Sequence, residues 1–484
     1  MLKKIGALSP IRLFILFTIT LSALPFQMNA QQSESARDLL EKSLNAIHLP
    51  ADTNLVFDYV SADSRQEEYQ SDRTYPPYFS LFSNRETRYY PLRNIEAVDT
   101  RIVFPSYSPK RATHALVTPQ GSYIKRQDNW VPVPSKAAGD LNLNPIAVLK
   151  KWKAYQKVRT AGKKVYRDFP RLVLEHSVKG DTEYLYLDPE SYLPVKYEKT
   201  ISHYLWGSRK VEYLYSTWML AGHTYFPGAS FKILDGNVQI SRTHGKMAFA
   251  SRDTLDALTI PREAVDESAL TAIQKPDTIR IGHNLYMLKN RFYNELVALI
   301  DNTVYIFDAT QAEERAMLDH EWIRKLFPGD HPVALVVTDL AWPHIGGVRY
   351  WVSQDASVYA HSTSEAFLHS VINRRWNRHP DRLEKIRDRV SFRFTGVDQS
   401  LDLAGGKVQL FNIGGIGSEG ALMVYLPGHH FLWASDYIQM TQRPTAYAGE
   451  VRDAVKRYHL KPQIFAAEHL EPTDWMVIEK LYKE

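Results

Sequence analysis

The stretch with the most chemical content is Val336-Val-Thr-Asp-Leu-Ala-Trp-Pro-His-Ile-Gly-Gly347. An apolar strand ends there at Thr338, and His344-Ile-Gly-Gly opens a helix six residues later. A strand-end turn of this kind places side chains on one edge of a sheet, where imidazoles and carboxylates can converge on a metal ion. The chain has no cysteine, so any metal must use His, Asp, Glu or backbone oxygen. Other signals are weaker. Gly415-Ile-Gly-Ser-Glu-Gly420 has the spacing of a dinucleotide-binding turn, but such a turn needs a helix straight after it. Ala421 to Leu426 reads instead as a strand, followed by Pro427. No Gly-x-Ser-x-Gly elbow is present, which leaves a serine hydrolase unsupported. Trp342, beside Pro343, either lines a cleft or packs beneath the loop. Arg374-Arg-Trp-Asn-Arg-His-Pro380, with Arg382, is a basic segment, read either as a solvated helix end or as a rim that attracts an anionic substrate.

The motif order from about Ile279 to the end resembles the metallo-β-lactamase superfamily, whose signature at the Thr338 turn is Thr-His-x-His-x-Asp-His-x-x-Gly. Phe307-Asp-Ala309 corresponds to the family's strand-end Asp. Ile416-Gly-Ser-Glu-Gly420 sits where the family has Gly-His-Thr-x-Gly. Phe431-Leu-Trp-Ala-Ser-Asp436 matches a strand ending in Gly-Asp, and Ala467-Glu-His469 a late strand ending in a ligand His. The resemblance implies an αββα sandwich with a metal site at one sheet edge. It also shows where this chain departs from the pattern. Asp339 replaces the first His, Ala341 the second and Pro343 the Asp, and the third ligand of the first metal falls at Gly417. The first site therefore keeps no histidine. The remnant is His344 and His469, with Asp436 as the bridging carboxylate. Two readings stay open. In one, His344, Asp436 and His469 hold one divalent metal, zinc, iron or manganese, with Asp339 as a fourth ligand or as the base for a bound water. In the other no metal binds, the three residues hydrogen-bond to one another, and the protein is a pseudoenzyme acting as a binding or scaffold protein. The resemblance leaves the substrate, an unknown small molecule, unspecified: superfamily members act on lactams, thioesters, lactones, phosphoesters and sulfates.

The elements that must position these residues alternate between strand and helix. Leu296 to Ile300 and Val304 to Phe307 read as neighbouring strands, and Ala312 to Leu326 as a helix. Val333 to Val337 reads as a strand covered on both faces. Helices are expected at His344 to Val352, Glu365 to Trp376 and Tyr447 to Tyr458. Strands are expected at Ser357 to Ala360, Lys407 to Ile413, Ala421 to Leu426, Phe431 to Ala434 and Gln463 to Ala466. The region before this has another character. Ser33 to His48 carries Leu39, Leu40, Leu44 and Ile47 at helical spacing. Leu55 to Phe249 then offers short alternating runs with turn residues, including Asp235-Gly236, a two-residue hairpin signal. One more helix is expected around Pro145 to Tyr155. A helix followed by a long antiparallel meander that contains Asp188-Pro-Glu-Ser-Tyr-Leu-Pro-Val195 resembles the periplasmic lipoprotein-carrier fold, which implies a curved sheet sheltering an apolar ligand and opens a third reading, an apolar-ligand carrier acting through this region. The fold class expected is α+β, an αββα metallo-β-lactamase-type sandwich preceded by a β-rich curved antiparallel-sheet domain with an N-terminal helix. The expected boundaries are a signal peptide over 1–30, the β-rich domain over 31–252, a linker over 253–278 with a short helix at Glu263 to Ala272, and the sandwich over 279–484.

The first thirty residues have a positive n-region (Lys3, Lys4, Arg12), an apolar stretch from Leu13 to Phe26, and Ala30 at the end of a small polar segment. That pattern predicts a cleaved secretory signal and a periplasmic or secreted protein with no integral span in the mature chain. The lack of cysteine suits that reading, since neither disulfide nor lipid anchor at Cys is available. Hydrophobic residues make up 44% of the chain and charged residues 23%, which excludes extensive disorder. The net charge is +5, of which the leader carries three, and the small remainder gives no reason to expect nucleic acid.

Overall fold

The computed structural model describes residues 34–50, 55–66, 80–104, 112–178, 180–252, 265–415, 420–435, 438 and 448–480. The expected leader lies outside them. No helix among the described residues is long and apolar enough to cross a membrane.

The N-terminal helix spans Ala36–Ala46 and is closed by a capping box: Ser35 Oγ accepts from the Asp38 amide, and the Asp38 carboxylate accepts from the Ser35 amide. Its buried residues, Ala36, Leu39, Leu40 and Ser43, repeat at helical spacing. A second helix, Pro145–Ala154, starts from Asn144, whose side chain accepts from the amides of Ile146 and Ala147, with Pro145 where its missing N–H costs nothing. Both helices lie on one face of a thirteen-stranded antiparallel sheet. Phe57, Tyr59, Tyr89, Tyr197, Tyr213 and Tyr215 on that face meet Leu39, Leu40, Ile146, Leu149 and Trp152 in one core. The strands run as a meander with one long-range seam: Leu55–Gln66 pairs with Ser80–Tyr90 on one side and with Asn237–Arg252, the last strand, on the other. The Asp235-Gly236 turn is as expected, with Leu234 paired to Asn237 and both turn residues at positive φ (47° and 88°).

From Asp277 onward two sheets stack face to face. The first has seven strands; its first four, Asp277–Gly282, Leu285–Asn290, Tyr293–Ile300 and Thr303–Phe307, are antiparallel. Val333–Val336, Ser357–His361 and Arg393–Val397 then add in parallel. The second has six, from Ser400–Leu403 to Leu470–Asp474. Period-two alternation builds the layers. Leu296, Ala298, Phe307 and Val336 point to Leu410, Leu422, Val424, Phe431 and Trp433 between the sheets. Val297, Ile306 and Leu335 point the other way, under helices Glu313–Leu326, Val348–Ser353 and Glu365–Asn373. The outer face of the second sheet carries Ala448–Arg457 and Trp475–Lys480. Helix, sheet, sheet, helix is the αββα order, and the whole is an α+β protein.

Some local expectations differ from what is found. The helix expected from His344 to Val352 is a 3-10 turn, Trp342–His344, followed by a helix only from Val348, because Pro343 and the glycines that follow interrupt it. The helix expected to reach Trp376 stops at Asn373, where Arg374 turns to extended backbone. The short helix expected at Glu263 to Ala272 is found at Glu267–Thr271, capped by Asp266. Strands Asp277–Gly282, Leu285–Asn290, Arg393–Val397, Ser400–Leu403 and Leu470–Asp474 were not expected; they are short or flank tight turns, where alternation is too brief to register.

Candidate metal centre

The site stands on the turn after Val333–Val336. Asp308, at the end of the neighbouring parallel strand, anchors that turn. Its carboxylate accepts from the Thr338 amide and hydroxyl, both at 2.7 Å, and from Trp433 Nε1 at 2.8 Å. Burial and the nearby Asp339 carboxylate push its pKa up to about 7, against the pull of those donors. Asp339 comes next. It accepts from the Ala341 amide at 2.7 Å and from the Ser435 hydroxyl, and both its oxygens lie 2.9 Å from Nδ1 of His344. The 3-10 turn, closed by His344 N donating to Ala341 O, brings the imidazole back over Asp339.

The other face of His344 meets Glu468, whose Oε2 lies 2.8 Å from Nε2. That approach is an ion-pair contact, and the buried Glu468 carboxylate has no other hydrogen-bond partner among the described residues. Burial raises the Glu468 pKa well above the usual carboxylate range, with His344 opposing. Burial also works against charge on His344, but Asp339 and Glu468 outweigh it and hold the imidazole pKa well above its ordinary value. For Asp339, burial pushes the pKa up and the contact with His344 more than reverses it, leaving it lowered. His469 completes the group. Its Nδ1 faces the Phe292 carbonyl, and its ring centroid lies 5.7 Å from that of His344 and 5.0 Å from that of Tyr293. One ligand atom each from His344, Glu468 and His469 can be chosen so that all lie within 4.8 Å of one another.

Of the residues singled out in the sequence, the structure thus brings His344 and His469 together and places Asp339 behind His344. Asp436 and Gly417 lie outside the described residues. Glu468 was not anticipated. Ala467-Glu-His469 reads as a strand end, on which neighbouring side chains point to opposite faces. In the structure Ala467 pairs with Leu470, so Glu468 and His469 are the two residues of a hairpin turn, and strand alternation does not separate them. Their backbone is pinned by the Asn294 amide on Glu468 O (2.7 Å), Asn294 Nδ2 on Ala467 O (3.1 Å) and the Glu468 amide on Ser435 O (3.1 Å).

The N-terminal sheet supplies one wall. The hairpin linking Pro194–His203 to Gly207–Ala221 drives Leu205, fully buried, into the core of the sandwich. Trp342, two residues before His344, packs against His203 (5.4 Å), Trp206 (5.5 Å) and the Arg209 guanidinium (5.3 Å). The basic segment is part of this seam rather than a free rim. Arg374 donates to the carbonyls of Trp206 and Ser208, both at 3.1 Å, and Arg378 pairs with Asp181. Gly207 (φ 64°) lies so close to Trp376 that a Cβ would come within 2.7 Å of its ring.

No family model and no curated protein matches the chain. Among solved structures it is similar to a metallo-β-lactamase from Erythrobacter litoralis, at 15% identity over 43% of this chain and 96% of that one, with a TM-score of 0.33. It is likewise similar to one from Hirschia baltica, at 12% identity over 43% of this chain and 96% of that one, TM-score 0.33. It is also similar to a LolA superfamily protein from Nitrosomonas europaea, at 13% identity over 47% of this chain and 99% of that one, TM-score 0.34.

Proposed function

We propose that this chain is an exported, hydrolase-like protein whose sandwich holds a single divalent metal ion at His344, Glu468 and His469. The observation that carries this is the donor set itself. Two imidazoles and a carboxylate converge within 4.8 Å, and among the described residues the buried carboxylate has no hydrogen-bond partner besides the His344 imidazole it contacts. Two His and one carboxylate suit zinc, iron or manganese. A cation also answers a charge problem, because Asp339 and Glu468 flank one imidazole in a buried site and Asp308 lies near enough to repel both carboxylates. Such an ion supplies Lewis-acid polarisation of a scissile carbonyl or phosphoryl group.

The residues around it have separate tasks. Asp339, read from the sequence as ligand or base, holds Nδ1 of His344 and so fixes its tautomer and ring angle; on this geometry it is a positioning residue. The Phe292 carbonyl does the same for His469. Asp436 follows Ser435, whose hydroxyl meets Asp339, and remains our choice for a further carboxylate ligand. Ala341 and Gly417 offer no side-chain donor, so a conventional two-metal centre is not part of this reading. The substrate is a small molecule of unspecified class, and the periplasm or medium is the proposed compartment because of the leader pattern.

One observation favours a second reading: His344 is flanked by carboxylates on both ring nitrogens. Without a metal, an imidazolium there serves as the counter-ion of Asp339 and Glu468, and the sandwich is a pseudoenzyme. Elemental analysis of protein purified without chelator separates the two. Stoichiometric zinc, iron or manganese, with a higher melting temperature on adding the same ion, supports the metal reading. No metal and no shift with any of the three ions overturns it.

A further inference from the structure

Far from that site, on the face of the N-terminal sheet that carries the two helices, three neighbouring strands present a row of polar groups. Ser61 pairs in register with Arg85 on one side and with His244 on the other. All three point to the same side as Tyr59, into the helix-covered interior. Ser61 is 2% exposed and His244 4%. Ser61 Oγ, Arg85 Nε and His244 Nδ1 are each buried without a hydrogen-bond partner among the described residues. Buried polar groups are normally paired, so three orphans in one row call for a missing partner.

The surrounding charges do not supply one. Asp63 is taken by Arg242 in a two-pronged pair (2.8 and 2.9 Å), and its nearer approach to Arg85 is 3.8 Å. Glu96 accepts from the Tyr59 hydroxyl (2.8 Å) and Asn144 Nδ2 (2.9 Å). Arg85 Nε has no hydrogen-bond partner among the described residues, and it belongs to a guanidinium with five N–H donors. Burial and the neighbouring Arg242 lower its pKa, the mark of a cation without adequate compensation. His244 is held neutral, since burial depresses its pKa to about 3. Ser230 Oγ lies 3.2 Å from Nε2; with that hydroxyl as the donor, the neutral ring carries its proton on Nδ1. The row therefore offers a guanidinium, an imidazole N–H and a hydroxyl, a set of donors. Adjacent strands lie about 4.8 Å apart, a spacing at which three donors can share the oxygens of one small anion.

We infer that Arg85, Ser61 and His244 form an oxyanion-binding site inside the N-terminal sheet, for a phosphate, sulfate or carboxylate group. Guanidinium and N–H donors are the usual recognition set for such groups. Beside the row lies an aromatic cluster: Phe226 is 5.0 Å from His244, 4.8 Å from Phe57 and 5.2 Å from Tyr59. The same oxyanion could thus arrive free or as the head group of an amphiphile whose tail meets these rings.

Calorimetric titration of the full chain, stripped of metal and in Tris chloride, tests the site with two probes, inorganic phosphate and monomeric dodecyl phosphate. Saturable binding of either is expected, weakened at least tenfold by Arg85→Gln and severalfold by Ser61→Ala. Equal affinities assign the site to a free anion; a tenfold preference for dodecyl phosphate assigns it to a head group. Failure of both probes to bind overturns the inference, as does binding that Arg85→Gln leaves unchanged. Should Arg85→Gln not fold, Ser61→Ala carries the same decision, because removing one hydroxyl spares the packing.

Discussion

The indole of Trp206 meets that of Trp342 edge to face, with ring centroids 5.5 Å apart and planes at 72°. One belongs to the N-terminal sheet and the other to the turn that carries His344. An aromatic contact of this type contributes about 0.5–1.5 kcal/mol beyond its buried area. Trp206→Ala should cost about 2 kcal/mol, less than full truncation of a buried Trp because the residue is half-buried. The effect should fall on the sandwich. Hydrogen exchange of amides 339–347 is expected to accelerate while amides in the thirteen-stranded sheet stay protected. Unchanged protection of 339–347 would mean that the hairpin does not support the site turn.

Asp339→Asn keeps an acceptor near Nδ1 of His344 but removes the negative charge. Loss of such an outer carboxylate typically lowers metal affinity about 10–100-fold. Competition with a chelating dye should show that loss, with metal still bound at saturation. Complete loss of metal would instead make Asp339 a ligand.

Glu468→Gln should have opposite effects on metal and on the metal-free fold. It removes a proposed ligand, so stoichiometric metal should disappear, as it should in His469→Ala. In metal-free protein the sign follows from the raised pKa of Glu468. A carboxyl whose folded pKa lies above its unfolded value stabilises the protein at low pH, and that contribution is lost as pH rises through the folded value. The variant should therefore lack this decline, and its metal-free melting temperature above neutral pH should equal or exceed that of the parent. A large drop there would show that the ionised carboxylate is needed as a partner of His344, the pseudoenzyme arrangement.

His244 gives the reverse pH dependence. Its folded pKa is lowered to about 3, whereas the unfolded imidazole titrates near 6.5. Between those values the unfolded chain binds a proton that the folded one excludes. Stability is thus complete above pH 6.5 and falls by about 1.4 kcal/mol per pH unit below it, for one proton. Denaturation of His244→Gln between pH 4 and 7 should show a shallower acid slope than the parent. Equal slopes would mean that His244 does not resist protonation.

Much of this was legible in the sequence, and the failures have physical causes. The order of strand-end motifs led to His344 and His469, and both stand at one edge of the sandwich. Glu468 escaped because a two-residue turn looks, in sequence, like the end of a strand. Arg374 and Arg378 read as solvated because charge clustering says nothing about a partner more than a hundred residues earlier in the chain. Leu205 and Trp206 carried no signal either; an apolar hairpin tip is informative only once the surface it enters is known. Ser61, Arg85 and His244 have unremarkable local contexts, and only strand register makes them neighbours.

That register also governs how the molecule can be made. Leu55–Gln66 lies at the middle of its sheet, hydrogen-bonded to Ser80–Tyr90 and to the last strand, Asn237–Arg252. Each half of the meander can zip from local hairpins as the chain emerges, but the seam between the halves must wait until the polypeptide has been delivered through Arg252. Closing so long a loop is slow, and until then two long edges are open to wrong pairing. The sandwich comes later still, and the core beneath its first layer of helices takes in Leu205 of the finished hairpin. Assembly is therefore ordered in time by the topology: hairpins, then seam, then docking. A chain released in pieces, or stalled before Arg252, presents unpaired strands rather than a smaller folded protein.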